Sequence, residues 1–307
     1  MRTLRFKHVD AFTSKPFAGN YAGVVLDADS LTDAEMQQIA RETNMPETAF
    51  ILSPTVDGAN IRIRWFSPSS EVPLCGHATI ASFHALAEDG AAGMNENGQH
   101  YFKVQTKSGV LTVCVEKNFH GIQVEFTLPL PRFSVKKKLP GGFLKSLGLA
   151  KDDLHPSLPV VRDQYLYIPV KGLRTLRKIT PDPEVLGKLT RTLRVLGVSL
   201  FTLETVEKTS AVHSRFFAPE LGIVEDPVTG SANGPLGVYL YSYVLPAGIR
   251  LAYRDLPDNQ LEYIGEQGDE IHRAGRVKIR LRLRQSAVEA VSIAGEAITI
   301  VHGSISI

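Results

Sequence analysis

Two short segments of this chain are built alike, and their likeness limits the available folds more than any other feature. Arg64-Trp65-Phe66-Ser67-Pro68 and Arg215-Phe216-Phe217-Ala218-Pro219 are each an aromatic strand closed by proline, offset by 151 residues (215 − 64), about half of the 307-residue chain. Each is followed by small residues that open an apolar helix. The first is Pro73-Leu74-Cys75-Gly76-His77-Ala78-Thr79, running on through Ile80 to Leu86. The second is Glu225-Asp226-Pro227-Val228-Thr229-Gly230-Ser231-Ala232-Asn233, running on to Tyr243. Small residues at a helix start leave its first N–H groups bare, and those groups with the helix dipole attract an anion. The repetition predicts a degenerate internal duplication, with a site lying between two like halves.

Composition narrows the class. A hydrophobic content of 43% with 21% charged residues is that of a soluble globular protein of two ordinary domains. The net charge of +2 (34 − 32) offers no field for nucleic acid. No apolar run is long enough to span a membrane, and Met1-Arg2-Thr3-Leu4-Arg5-Phe6-Lys7-His8 lacks the apolar core of a signal peptide. The only cysteines are Cys75 and Cys114, which leaves no disulfide framework and no four-cysteine metal site. These features predict a cytoplasmic protein.

Periodicity gives the elements. Thr32 with Glu35 forms a capping box, and Leu31 can staple onto Met36, so a helix runs to about Glu42 and stops before Pro46. Strands are predicted at 4–12, 23–26, 48–53 and 60–67, followed by a helix from Gly76 to about Glu88 and strands at 101–106, 110–116 and 121–127. Pro129, Pro131 and Lys136-Lys137-Lys138 mark a domain boundary, the lysines reading as a solvated linker. Beyond it, strands are predicted at 160–162, 165–170, 195–205, 211–217, 261–266, 276–283, 287–294 and 297–302, with a helix over 183–192. The fold class is α+β: two sheet-rich domains, 1–130 joined by the terminal strand at about 296–307, and 131–295, each built around one apolar helix.

Several residues can carry chemistry, each with an alternative. Glu47, between Pro46 and an apolar strand, is placed where desolvation raises a carboxyl pKa toward neutrality; an exposed loop glutamate fits the same pattern. His77 at a helix start can shuttle a proton or merely cap the helix. Cys75 at the same start is either a thiol with lowered pKa or plain packing. Asp226 can orient His77, bind a substrate amine, or form an Asx turn before Pro227. Thr229, Gly230 and Ser231 can supply N–H groups and hydroxyls to a carboxylate, or simply cap their helix. No dinucleotide fingerprint, phosphate loop or metal-ligand spacing is present, so acid/base proton transfer by side chains fits best.

These residues carry a resemblance. His8-Val9-Asp10-Ala11-Phe12, Pro16-Phe17-Ala18-Gly19-Asn20, Ala40-Arg41-Glu42-Thr43-Asn44, Glu47-Thr48-Ala49-Phe50, Cys75-Gly76-His77-Ala78-Thr79 and Gly222 through Ala232 resemble the motifs of the phenazine-biosynthesis PhzF-like isomerases, with Glu266-Gln267-Gly268 a weaker match. The resemblance covers nearly the whole chain. It implies two domains of diaminopimelate-epimerase-like fold, each a mixed sheet or barrel wrapped around a central helix, with the active site in the interdomain cleft. It also implies a homodimer and an isomerase that uses no cofactor or metal and acts on a small, amino-acid-like carboxylate. Glu47, His77 and Asp226 take the catalytic positions, and Cys75, Gly76, Thr229, Gly230 and Ser231 the substrate-binding ones. Two positions depart from the pattern: Pro46 replaces a common serine, and His272-Arg273-Ala274-Gly275 lacks a frequent Arg-Pro-Ser. A two-thiol racemase or epimerase of the same fold is disfavoured because Thr229 stands where a second cysteine is needed. A non-catalytic binding protein that keeps the cleft is the remaining alternative.

Overall fold

Local signals set the element boundaries in the computed structural model, which describes residues 1–307. The hydroxyl of Thr32 accepts the Glu35 N–H while the Glu35 carboxylate accepts the Thr32 N–H, which starts helix α1 (Asp33–Thr43). Asn44 ends it in the left-handed conformation at φ 49°. Leu31 and Met36 share one core cluster with Ile39 and Phe50, as the staple requires. Helix α2 (Gly76–Glu88) has no polar face: every residue from His77 to Ala87 is buried. Burial of side chains such as Ile80 and Phe83 contributes about 1.5–3 kcal/mol each. A helix apolar all round must be enclosed.

The chain divides into two units, Met1–Thr127 with Ile293–Ile307, and Leu128–Ser292. In the first, β1 (Thr3–Ala11) runs antiparallel to β2 (Asn20–Val25), which is parallel to β3 (Thr48–Leu52). β3 is antiparallel to β4 (Ile61–Phe66), against which lies the short β5 (Glu71–Val72). β4 is parallel to β6 (Gly98–Thr106), and β6, β7 (Gly109–Asn118) and β8 (Gly121–Leu128) form a meander. Helix α2 packs on β1, β2, β3 and β7.

The second unit repeats this succession. After β9 (Ser134–Val135) and β10 (Val161–Arg162) comes β11 (Leu166–Pro169), which is parallel to β12 (Val198–Thr202). β12 is antiparallel to β13 (Val212–Ala218), which carries β14 (Ile223–Asp226). β13 is parallel to β16 (Gln260–Gln267), which lies between β15 (Arg254–Leu256) and β17 (Gly275–Arg284). The helices fall in the same places as α1 and α2: α4 (Pro183–Leu193) between β11 and β12, and α5 (Gly230–Tyr239) after β14. α5 continues as a π-helical turn over Leu240–Val244 and packs on β17. A short helix α3 (Leu173–Arg177), unpredicted by periodicity, covers the core around Leu176, Leu186 and Phe217.

The final stretch corrects the sequence expectation of two strands. β18 (Ala287–Ser306) is one continuous strand of 20 residues, and its later part pairs antiparallel with β1. The strand passes through Gly295-Glu296, where the Glu296 carbonyl accepts the Phe12 N–H, and its pairing with β1 begins at Ala297.

The duplicated aromatic strands keep duplicated chemistry. The Arg64 guanidinium lies 5.1 Å from the Phe66 ring centroid, and that of Arg215 lies 5.1 Å from Phe217. Arg215 grips Glu225 with Nε and Nη2 at 2.8 and 2.7 Å and donates Nη1 to the carbonyls of Leu176 and Ile179. Arg64 donates to Glu71 at 2.8 Å, but Glu71 also accepts from Lys107 at 3.1 Å. Removing Arg215 takes the cation from the half-buried Glu225 carboxylate and leaves the Leu176 and Ile179 carbonyls without their donor, whereas Glu71 keeps a cation. Arg215→Ala is therefore expected to lower the unfolding free energy by about 3–5 kcal/mol and Arg64→Ala by about 1–2 kcal/mol. Urea unfolding of the two variants measures the difference; equal costs would show that Lys107 does not compensate.

Candidate active site

In the first unit three segments bring side chains to the start of α2. The β1–β2 turn closes at Gly19, where φ is +61° and an added Cβ would stand 2.1 Å from the Ala11 carbonyl oxygen. Only glycine fits there, and the turn delivers the fully buried Asn20 to the first position of β2. Glu47 follows Pro46 just before β3, its own carbonyl accepting the Gly23 N–H at 3.0 Å. Cys75 is the N-cap of α2 and His77 its second residue.

These four side chains touch. His77 Nε2 lies 3.0 Å from Glu47 Oε2, and its Nδ1 lies 3.2 Å from the Asn20 amide. Cys75 Sγ is 3.5 Å from Nδ1 and 3.7 Å from Nε2. Within its own unit the imidazole is thus oriented by Glu47 and Asn20. The Glu47 side chain is only 15% exposed, which sets aside the exposed-loop alternative.

The electrostatics overturn one expectation. Burial alone raises the Glu47 pKa, but the His77 charge, the His77 hydrogen bond and that from Cys75 outweigh it, so the carboxyl ends below its ordinary value of 4.5. Desolvation is real here, yet a cation placed at contact wins. Burial works against a charged imidazole, but Cys75 and Glu47 hold the His77 pKa well above the ordinary 6.5. Of those two, Glu47 is the one charged at neutral pH. Burial and the Glu47 charge push the Cys75 thiol up to about 11, against the lowering expected at a helix start. The resting cluster is a carboxylate, an imidazolium and a neutral thiol. The Asn20 amide stands with its nitrogen 3.2 Å from Nδ1; an imidazolium carries N–H on both nitrogens, so the turned-over amide, oxygen toward Nδ1, is the orientation that matches it.

The second unit has its own cluster at the start of α5. Thr229 Oγ1 donates to Asp226 Oδ2 at 2.5 Å, a side-chain bond across the two residues between them. The Thr229 N–H is taken by Gln267 Oε1 at 3.1 Å, so it is not available to a ligand, contrary to expectation; the next N–H groups are those of Gly230 and Ser231. Gln267 also accepts from Asn233 Nδ2 at 2.9 Å and donates to the Asp226 carbonyl at 2.8 Å. Ser231 Oγ pairs with the Tyr165 hydroxyl at 2.9 Å.

The structure brings together Glu47, Cys75, Gly76 and His77 in one group, and Asp226, Thr229, Gly230 and Ser231 in the other. Three participants escape the sequence reading. Asn20 and Gln267 lie in the quoted motifs Pro16–Asn20 and Glu266–Gly268, so a signal existed but named no role. Tyr165 carries no signal at all. Folding also creates what linear spacing lacks: the ligand atoms of Glu47, Cys75 and His77 all lie within 4.8 Å of one another.

Comparison with known proteins agrees with this picture. The family model described as phenazine biosynthesis-like protein (PhzC-PhzF) matches residues 9–303. An uncharacterized isomerase of Clostridium acetobutylicum is 36% identical over 98% of this chain and 97% of its own length. The uncharacterized isomerase YddE of Escherichia coli strain K12 is 34% identical, covering 96% of each. The crystal structure of the Bacillus anthracis PhzF-family protein superposes with a TM-score of 0.86 at 33% identity, covering 100% of both chains. A hydroxyproline epimerase of Agrobacterium vitis, 13% identical with a TM-score of 0.59 over 99% of this chain and 91% of its own, shares the fold alone. The chain belongs to the phenazine biosynthesis-like family and is an isomerase of the PhzF type.

Proposed function

We propose that this isomerase works without a cofactor and moves a proton on a small, amino-acid-like carboxylate, with Glu47 as the acid/base. The observation that carries the reading is the buried contact of Glu47 Oε2 with His77 Nε2 at 3.0 Å, beside a thiol held neutral. A base must be ionised before it can take a proton from carbon, and the His77 cation keeps Glu47 ionised despite burial. Once protonated, Glu47 is a neutral acid next to a retained positive charge, and that charge favours return of the proton to the substrate. Cys75 packs against the pair and hydrogen-bonds to it; a thiol pushed to about 11 is a poor base near neutrality.

The remaining assignments belong to the same proposal. The Gly76 N–H at the start of α2 favours negative charge on the substrate. In the second unit Asp226 is assigned to a substrate amine, and the N–H groups of Gly230 and Ser231 to a carboxylate. Thr229 is a positioning residue, its hydroxyl and N–H both engaged by Asp226 and Gln267. A hydroxyl so engaged cannot serve as the second thiol of a two-base racemase, which supports the one-base reading.

Glu47→Gln keeps the shape and removes the base. Deuterium uptake from solvent into a panel of small amino acids, followed by NMR, is expected to fall by roughly 10²-fold or more in Glu47→Gln. Cys75→Ala is expected to lose far less. An active Glu47→Gln beside an inactive Cys75→Ala would move the base to the thiol.

The pH dependence follows from the directions above. Because the Glu47 pKa is depressed, the base form persists until pH falls below the ordinary carboxyl value of 4.5. His77→Asn removes the cation and leaves burial, which raises the carboxyl pKa. The acid limb of kcat/KM is therefore expected to move to higher pH in His77→Asn. An unmoved limb would show that His77 does not set the ionisation of Glu47.

A further inference from the structure

The same cluster has a second chemistry. Glu47, Cys75 and His77 offer one oxygen, one sulfur and one nitrogen donor, all within 4.8 Å of one another. A tetrahedral zinc ion with bonds of about 2.0–2.3 Å separates nitrogen from oxygen by about 3.3 Å and nitrogen from sulfur by about 3.6 Å. The observed Nε2 to Oε2 and Nε2 to Sγ separations are 3.0 and 3.7 Å. These two separations are within a few tenths of an ångström of the tetrahedral values, and the Glu47 oxygen and Cys75 sulfur lie within 4.8 Å of each other. Two donors are fixed by the first turn of α2, Cys75 as N-cap and His77 two residues on, and the third comes from the segment before β3. Asn20 stands behind Nδ1 with its amide nitrogen 3.2 Å away; turned over, the amide would accept Nδ1–H with its oxygen and keep Nε2 turned to the ion.

We propose that Glu47, Cys75 and His77 form a binding site for Zn²⁺ and similar thiophilic divalent ions, occupied in competition with the substrate. Binding involves no redox change. The Cys75 S–H bond and the Nε2–H bond of His77 give their protons to solvent, the sulfur and nitrogen bond the ion, and Glu47 exchanges its hydrogen bond to His77 for a metal–oxygen bond. The sulfur donor selects Zn²⁺, Co²⁺ or Cd²⁺ over Mg²⁺ and Ca²⁺. A bound ion takes both the base and its partner out of use, so the predicted effect is inhibition. That consequence rests on the proton-transfer reading given above; the site itself rests only on the donors.

Co²⁺ tests it directly in the reduced full-length chain. Titration with Co²⁺ is expected to give a near-ultraviolet sulfur-to-cobalt charge-transfer band and visible bands of tetrahedral intensity, saturating at one ion per chain and bleached by Zn²⁺. Cys114, the only other cysteine, lies on β7, and Cys114→Ala should retain the signal. Cys75→Ala should lose the charge-transfer band, and Glu47→Gln and His77→Asn should each bind Co²⁺ about tenfold or more weakly. No band in the wild-type protein, or a band that survives Cys75→Ala, overturns the proposal. Should Cys75→Ala fail to fold, the other two variants decide: unchanged Co²⁺ affinity in both overturns it. Co²⁺ binding together with full proton exchange in Glu47→Gln would defeat the isomerase mechanism and leave the metal site standing. The reverse pattern would defeat the metal site alone.

Discussion

A helix without a polar face has to be enclosed, and most of the first unit follows from enclosing α2. Strands β1, β2, β3 and β7 pack on it, and no residue from His77 to Ala87 reaches solvent appreciably. Enclosure creates a difficulty at both ends, because a helix leaves N–H groups bare at its start and carbonyls at its finish. At the finish, buried Lys7 donates to the Ala85 carbonyl at 3.2 Å and pairs with Glu88 and Asp89 at 2.8 and 2.5 Å. A cation at the negative end of the dipole is favourable. At the start the small residue Gly76 follows the N-cap Cys75, and the charge nearest the helix end is the His77–Glu47 pair. The same enclosure that stabilises the unit therefore builds its reactive end.

Two histidines of α2 show how local that effect is. His77 and His84 share one helix and similar burial, yet their pKa values move in opposite directions. Burial, only partly offset by Glu88, pushes His84 down to about 4, so it stays neutral in the core. His77 faces the same desolvation, but a carboxylate at hydrogen-bond distance reverses the outcome. Burial supplies the energy scale and the partner decides the sign. A buried ion pair of this kind contributes little net stability, since desolvation of both groups offsets their attraction. Stability alone therefore does not account for it, and the pair's effect is to keep a largely enclosed carboxylate ionised at rest.

The contrast explains which features were legible in the sequence. The capping box of α1, the span of α2 and the repeated Arg-aromatic strands depend on neighbours within a few residues, and the sequence shows them. Glu47 could be marked as a candidate because proline and an apolar strand flank it. The direction of its pKa could not, because the deciding cation lies 30 residues away in the chain (77 − 47) and only the fold sets it 3.0 Å off. The metal-donor geometry escaped for the same reason. Asn20 and Gln267 were visible as motif residues but not as partners of a ring nitrogen and a helix start. The sequence predicts two strands at 287–294 and 297–302, whereas β18 runs unbroken through Gly295 and Glu296 and pairs with β1 from Ala297 onward.

In the second unit, adjacent residues of β16 show how a strand can tie stability to site geometry. Successive side chains of a strand point to opposite faces. Gln267 faces the start of α5 and holds Thr229, Asn233 and the Asp226 carbonyl. Glu266 faces the other way, accepting the N–H groups of Val206 and Glu207 at 2.8 Å each and His213 Nδ1 at 2.7 Å. Gly268 follows at φ +89°, where an added Cβ would stand 2.6 Å from the Pro227 carbonyl oxygen, so β16 can end only in a residue without one. Burial opposes charge on both members of the His213–Glu266 pair, but their mutual contact and the Glu270 carboxylate raise His213 to about 9, and His213 with the two N–H groups lowers Glu266 to about 2. The His213 contribution is complete below 6.5 and lost as pH rises through about 9. That of Glu266 is complete above 4.5 and lost as pH falls through about 2. Both are complete between 4.5 and 6.5, a window in which Glu47, held below 4.5, is ionised and His77, held above 6.5, is protonated. The register that presents Gln267 to the helix start is anchored by a charge pair one residue away, and that pair is at full strength between pH 4.5 and 6.5.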